Sequence, residues 1–176
     1  MILSGKRIAE LMGKQIFITP YDERRLNPNS YNLSLHPKLM TYRTPVLDMK
    51  VKPEVDELII PDDGLVLEPG KLYLGQTNEH TRTEGLVPML EGRSSIGRLG
   101  LMVHVTAGFG DVGFSGFWTL ELFCVQPIRI YPHVEICQIY FHSIDGEYES
   151  YRSGKYQGNE GVQPSMLYKE LQGLKS

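Results

Sequence analysis

Residues 58–77 read LIIPDDGLVLEPGKLYLGQT, and this stretch decides the fold class. Its three apolar runs, 58–60, 65–67 and 72–76, are too short for helices that bury a stripe. Between them stand Pro61-Asp62-Asp63-Gly64 and Pro69-Gly70, residue types that set the backbone angles of tight turns. The same rhythm runs outward in both directions. Upstream it marks 15–19, 31–35 and 39–42; downstream it marks 86–90, 101–106, 118–123, 128–131 and 134–142. Many short strands with frequent turn signals predict a mainly β chain, folded as a sandwich, jelly roll or barrel. Eighteen glycines and eleven prolines agree with this and speak against a helical bundle. Residues 4–14 break the rhythm: Ser4 can cap a helix whose Ile8, Leu11 and Met12 form one apolar stripe. Short helices are also expected within 94–101 and 164–171.

The bulk properties narrow the function classes. A chain of 176 residues suits one domain spanning 1–176, and 41% apolar with 22% charged residues excludes disorder. A net charge of −3 provides no global positive field for nucleic acid or an anionic membrane. An anionic ligand would therefore need a locally basic site. The N-terminal MILSGKRIAELMGK lacks the apolar core of a signal peptide, and no run approaches membrane-spanning length. A cytoplasmic protein is expected. Cys124 and Cys137, both in strand-like runs, read as buried thiols in a reducing compartment.

Two segments carry chemistry. The first is Glu91-Gly92-Arg93-Ser94-Ser95-Ile96-Gly97-Arg98, where two serines at a helix start offer hydroxyls beside free backbone N–H groups. Arg93 and Arg98 add forked donors suited to phosphate oxygens. The spacing is not that of a P-loop, and an ordinary helix cap with two surface arginines would look the same. The second is Phe117-Trp118-Thr119-Leu120-Glu121-Leu122-Phe123. Strand alternation puts Glu121 on one face with Phe117, Thr119 and Phe123, and opposite Trp118, Leu120 and Leu122. Burial would raise its pKa into a range useful for proton transfer, whereas an exposed edge strand would leave it an ordinary surface charge. The strand alone does not decide between these. Asp111, in a glycine-rich loop, reads first as a turn residue. His133-Val134-Glu135 matches the H-x-E of zinc deaminases, but the C-x-x-C that must accompany it is missing, so zinc is not expected.

The tail, 148–161, is polar, glycine-rich and aromatic, with too few apolar side chains to anchor a core. It either frays or serves as a flap that orders on a ligand or a neighbouring subunit. The close spacing of Tyr151, Lys155 and Tyr156 favours the flap.

Taken together, EGRSSIGRLGL, HVTAGFGDVGF, WTLELF and the late GKYQG resemble the dCTP deaminases, relatives of the trimeric dUTPases, and the likeness runs through nearly the whole chain. The resemblance implies a distorted β-barrel or jelly roll, a homotrimer with active sites between subunits, and zinc-independent deamination of dCTP that feeds thymidylate synthesis. It casts Glu121 as the residue that moves protons between water, the cytosine ring and the leaving ammonia. Ser94, Arg98 and Ala107 join it in the active site, with Ala107 presenting a backbone group. Arg93, Ser94 and Ser95 match triphosphate contacts within a loop that also holds Ile96 and Gly97. Asp111 matches the sugar-loop aspartate, and Thr119 and Leu120 flank Glu121 along the strand. Tyr151, Lys155 and Asn159 match the closing tail, Asn159 standing where many members carry Gln. Magnesium would accompany the triphosphate, and dTTP is a possible inhibitor. Family members release either dUTP or, after cleaving the α–β phosphate bond, dUMP. Gly97 and Ala107-Gly108-Phe109 look like the dUMP-forming members. Gly110 and Val112, around Asp111, depart from that pattern and tip the sequence reading toward dUTP. A trimer that binds nucleotide and regulates without catalysis is the alternative of another class.

Overall fold

The computed structural model describes residues 1–151 and 154–174. Helix α1 spans Gly5–Leu11; the Ser4 side chain accepts from Arg7 N at 3.2 Å, and Ile8 and Leu11 point into the core. It stops short of Lys14 because Gly13 turns the chain at a φ of 73°. Eleven strands follow among the described residues, one for each run expected from the sequence. They are β1 Ile16–Thr19, β2 Tyr31–Ser34, β3 Lys38–Tyr42, β4 Val55–Ile59, β5 Leu65–Leu67, β6 Tyr73–Thr83, β7 Leu86–Gly92, β8 Leu101–Val103, β9 Ser115–Cys124, β10 Ile128–Ile130 and β11 Glu135–Ser143. Helices α2, Ser94–Gly97, and α3, Leu167–Leu171, complete the chain.

The strands pair antiparallel in three sheets. The largest runs β4-β3-β6-β9-β8, with β1 also on β6; a second runs β2-β11-β7, and β10 pairs β5. One apolar cluster fills the space between them, with Leu120 and Leu122 from β9 meeting Tyr31 and Leu33 from β2 and Ile139 and Phe141 from β11. The architecture is a distorted jelly roll whose sheets do not close into a barrel. This is the mainly β, jelly-roll architecture expected from the sequence, without closure into a barrel.

Strand β6 is longer than its apolar run because polar side chains find partners inside. A register shift between Gln76 and His80 turns Glu79 fully inward. There its carboxylate accepts from Ser34 N at 2.8 Å and Ser34 Oγ at 2.6 Å, and it is ion-paired with Arg25. A buried carboxylate is tolerated only with such partners. Conversely, β8 ends three residues early, at Val103, because His104 takes a φ of 55°.

The tail does find an anchor, contrary to the expectation from its composition. Asn159 O accepts from Phe117 N at 2.9 Å, Asn159 Nδ2 donates to Phe117 O at 2.9 Å, and Val162 packs buried on Met40 and Leu74. Backbone pairing with β9, rather than a run of apolar residues, fastens it. Residues 152–153 of the expected flap lie outside the described residues. No helix among the described residues is long and apolar enough to cross a membrane.

Replacing Arg25 by Met strands the Glu79 carboxylate in the interior. Urea denaturation is expected to show a loss of about 3 kcal/mol, since Arg25 keeps some solvent access; a loss below about 1 kcal/mol would show that the pair does not hold the β6 bulge.

Candidate active site

Alternation along β9 builds the site. Leu120, Leu122 and Cys124 turn into the core, while Phe117, Thr119 and Glu121 turn the other way and line a cavity of about 480 Å³. That volume lies within the range of small-molecule sites. Loop 104–114 forms a second wall, bringing His104, Ala107 and Asp111 to the cavity. It is pinned to β7 by Leu90 N donating to Gly108 O at 2.7 Å and Gly110 N to Pro88 O at 2.9 Å. Gly110 is required by this approach: a Cβ there would lie 2.5 Å from the Trp118 ring and 2.9 Å from Pro88 O. The tail supplies a third wall, with Tyr151, Tyr156 and Asn159. Thr119 links wall to tail, its Oγ1 accepting from Gln163 N at 3.0 Å.

Glu121 Oε2 lies 2.6 Å from His104 Nδ1. The Glu121 side chain is 37% exposed toward the cavity, whereas that of His104 is 6% exposed. The expectation of a raised carboxyl pKa is corrected here. Desolvation does push Glu121 up, but the His104 hydrogen bond and charge, with a backbone hydrogen bond, outweigh it and hold the pKa below the ordinary value. His104 is the partner of Glu121 that reading the sequence from Glu121 alone misses. Its only signal there is its place in the HVTAG segment.

The phosphate-loop candidates lie elsewhere. Arg93 occupies the N-cap position of α2 without a side-chain cap bond, and Ser94 and Ser95 open the helix exposed. Arg93 is tied to Glu135, donating to its backbone O at 2.7 Å and lying 3.3 Å from Oε2. Arg98 is exposed. None of Arg93, Ser94, Ser95, Ile96, Gly97 or Arg98 lines the cavity that holds Glu121. Two further candidates stand apart from the cavity. The Leu120 side chain is buried in the core, on the face of β9 opposite Glu121 as alternation predicts. Lys155 does not line the cavity either, as its ammonium is ion-paired with Glu170 of α3. The H-x-E pair is engaged structurally: His133 Nδ1 lies 3.2 Å from Asn78 Nδ2, and Glu135 accepts from Asn32 Nδ2 at 2.7 Å.

A family model described as dCTP deaminase-like matches residues 2–144. The chain belongs to this family. It is 67% identical over 172 residues to a protein of Hathewaya histolytica named dCTP deaminase, dUMP-forming, covering 98% of this chain and 100% of that one. A protein of Clostridium acetobutylicum with the same name is 65% identical over 171 residues, covering 97% and 99%. In structure the chain is similar to a 2′-deoxycytidine 5′-triphosphate deaminase from Agrobacterium tumefaciens, with a TM-score of 0.64 and 22% identity. That match covers 80% of this chain and 47% of the other, so this chain spans about half its length. At this identity the likeness concerns the fold.

The lowered Glu121 pKa has a sign that can be tested. A carboxyl whose pKa is depressed by folding contributes stability above its unfolded pKa and loses it as pH falls through the folded value. Wild type is therefore expected to gain stability over Glu121→Gln at pH 7, with the gap closing as acid protonates the carboxyl. Urea unfolding of both proteins across pH 3–7 checks this; a gap that widens on acidification would contradict the assigned direction.

Proposed function

We propose that the chain converts dCTP to dUMP, deaminating the cytosine ring and then releasing pyrophosphate. The observation that carries the first step is the Glu121 carboxylate, held by His104 at 2.6 Å and facing a nucleotide-sized cavity beside Ala107. The sequence alone leans toward dUTP as product. Relatives 60–67% identical over almost the whole chain, all named dUMP-forming, favour the other alternative.

Hydrolysis at C4 needs a water deprotonated, N3 protonated, and the departing amine protonated. Glu121, ionised at neutral pH, takes the water proton as the O–C4 bond forms and passes it to N3. It then takes the hydroxyl proton and gives it to the amine as the C4–N bond breaks, releasing ammonia. The tail over the cavity limits access of bulk water. Cleavage between the α and β phosphates needs a second activated water. Asp111 is the other carboxylate lining the cavity and is assigned to orient it.

The triphosphate requires cations, and among the described residues no lysine or arginine lines the cavity. We assign them to the loop holding Arg93, Ser94, Ser95, Ile96, Gly97 and Arg98 of a neighbouring copy, in a homotrimer with sites between subunits. Ser94 and Ser95 are exposed there, as is Arg98, and so free to meet a ligand. Lys155 would reach the phosphates after leaving Glu170. No group of three or more His, Cys, Asp or Glu side chains gathers among the described residues. We assign magnesium to the triphosphate itself, held by phosphate oxygens and waters. When bound, magnesium would neutralise part of the triphosphate charge. By the same contacts dTTP, sharing sugar and triphosphate, is a candidate inhibitor, and the cytoplasm is the proposed compartment.

Incubation with dCTP and magnesium is expected to yield ammonia, dUMP and pyrophosphate in equal amounts. Accumulation of dUTP would restrict the activity to deamination, and tight binding without turnover would overturn the proposal in favour of a regulatory nucleotide-binding trimer. Glu121→Gln should bind dCTP and lose ammonia release by about 10³-fold or more; Asp111→Asn should still release ammonia while dUTP builds up. Mixed and refolded with Glu121→Gln, an inactive Arg98→Ala variant is expected to regain activity, because some interfaces then pair an intact Glu121 with an intact Arg98. No recovery would argue against a site shared between copies.

A further inference from the structure

His104 is placed at a cost that packing does not explain. Its ring is buried, yet Nε2 has no hydrogen-bond partner among the described residues, and a buried polar atom without one costs about 1–3 kcal/mol. Its backbone sits at φ 55°, a left-handed conformation that most side chains disfavour. An apolar residue on a regular strand would avoid both penalties. What the histidine gains in that position is one contact, Nδ1 to Glu121 Oε2 at 2.6 Å. The left-handed turn also brings His104 N within 2.9 Å of Glu121 O, so main chain and side chain grip the same residue. The Trp118 ring stands edge-on to the imidazole, with centroids 6.3 Å apart.

We infer that His104 is the positioning residue for Glu121. This rests on the reading of Glu121 as the base. An ionised carboxylate can only accept, so Nδ1 carries the proton and donates it to Oε2. With Oε2 occupied, the carboxylate is fixed in one rotamer and Oε1 is left to receive the proton of the attacking water. His104 itself transfers no proton; it fixes the direction and ionisation of the group that does.

The test separates the side-chain donor from the backbone conformation. Glycine accepts φ 55° without strain but has no donor; asparagine also tolerates the left-handed region, and its amide nitrogen stands close to the position of Nδ1. For His104→Gly, dCTP affinity by calorimetry and KM should stay within about threefold, while kcat for ammonia release falls about 10²-fold. His104→Asn should recover at least about tenfold of that loss. Rates are expressed per folded protein, with thermal melts run in parallel. A glycine variant as fast as wild type would show that only the backbone turn matters, and an asparagine variant as slow as glycine would remove the donor role. If His104→Gly does not fold, His104→Asp gives the same contrast: it fits the turn, cannot donate when ionised, and must fall well below asparagine. Absence of ammonia release from the wild type would overturn the function proposed for the site. An active wild type with an equally active glycine variant overturns the role of His104 alone.

Discussion

The ladder between β6 and β9 is the constraint from which the rest of the site follows. Tyr73 pairs with Leu122, Leu74 with Glu121, Gly75 with Leu120 and Gln76 with Thr119. Because side chains alternate across a strand, this register sends Leu120 and Leu122 to the core and Thr119 and Glu121 to the cavity in one stroke. A slip of one residue would exchange the two sets, burying Glu121 among leucines and exposing Leu120. The register is locked from both ends. On one side the β6 bulge commits Glu79 to Arg25 and Ser34; on the other, β8 holds Met102 against Phe123 and Val103 against Leu122. Thr77 ties the strands at the bulge, its hydroxyl donating to Glu79 O at 2.8 Å and accepting from Trp118 N at 3.1 Å. The carboxylate proposed as catalytic thus depends on a buried ion pair outside the cavity lining.

The fold was largely readable because its signals are local. Each apolar run bounded by proline, glycine, asparagine or aspartate became a strand, and Ser4 capped the helix it was expected to cap. The reading fell short where polar residues find partners far along the chain. Nothing near Glu79 announces that Arg25, 54 residues earlier, will meet it, so β6 looked shorter than it is. The tail looked unanchored because its attachment uses the backbone of Asn159 and the single apolar Val162, neither visible as a pattern.

The candidate site was legible to a different degree. Alternation alone put Glu121 and Thr119 on one face, and the cavity confirms that geometry. What alternation could not supply was the sign of the pKa shift, which is set by His104, 17 residues away, against the opposing push of burial. Nor could it show that the basic loop stands apart from the carboxylate within one chain. In the proposed trimer the ligand set would be split between two surfaces, and sequence proximity carries no information about which copy of a chain a residue serves.

The lowered pKa of Glu121 bears on how one carboxylate can act as both base and acid. A raised value would favour the donor form before any water had been activated. A lowered value does the reverse: the group waits ionised, and its conjugate acid, once formed, is strong and gives its proton up readily to the ring nitrogen or the amine. The penalty is a weaker pull on the water proton, and this is where orientation must compensate. The His104 bond produces both effects at once, since the contact that depresses the pKa is the contact that aims the carboxylate. In the proposed reaction the tail residues that wall the cavity, Tyr151, Tyr156 and Asn159, would add to this by limiting bulk water at the reacting centre. Direction in that reaction would come from the His104 contact, with the carboxyl pKa held below its ordinary value.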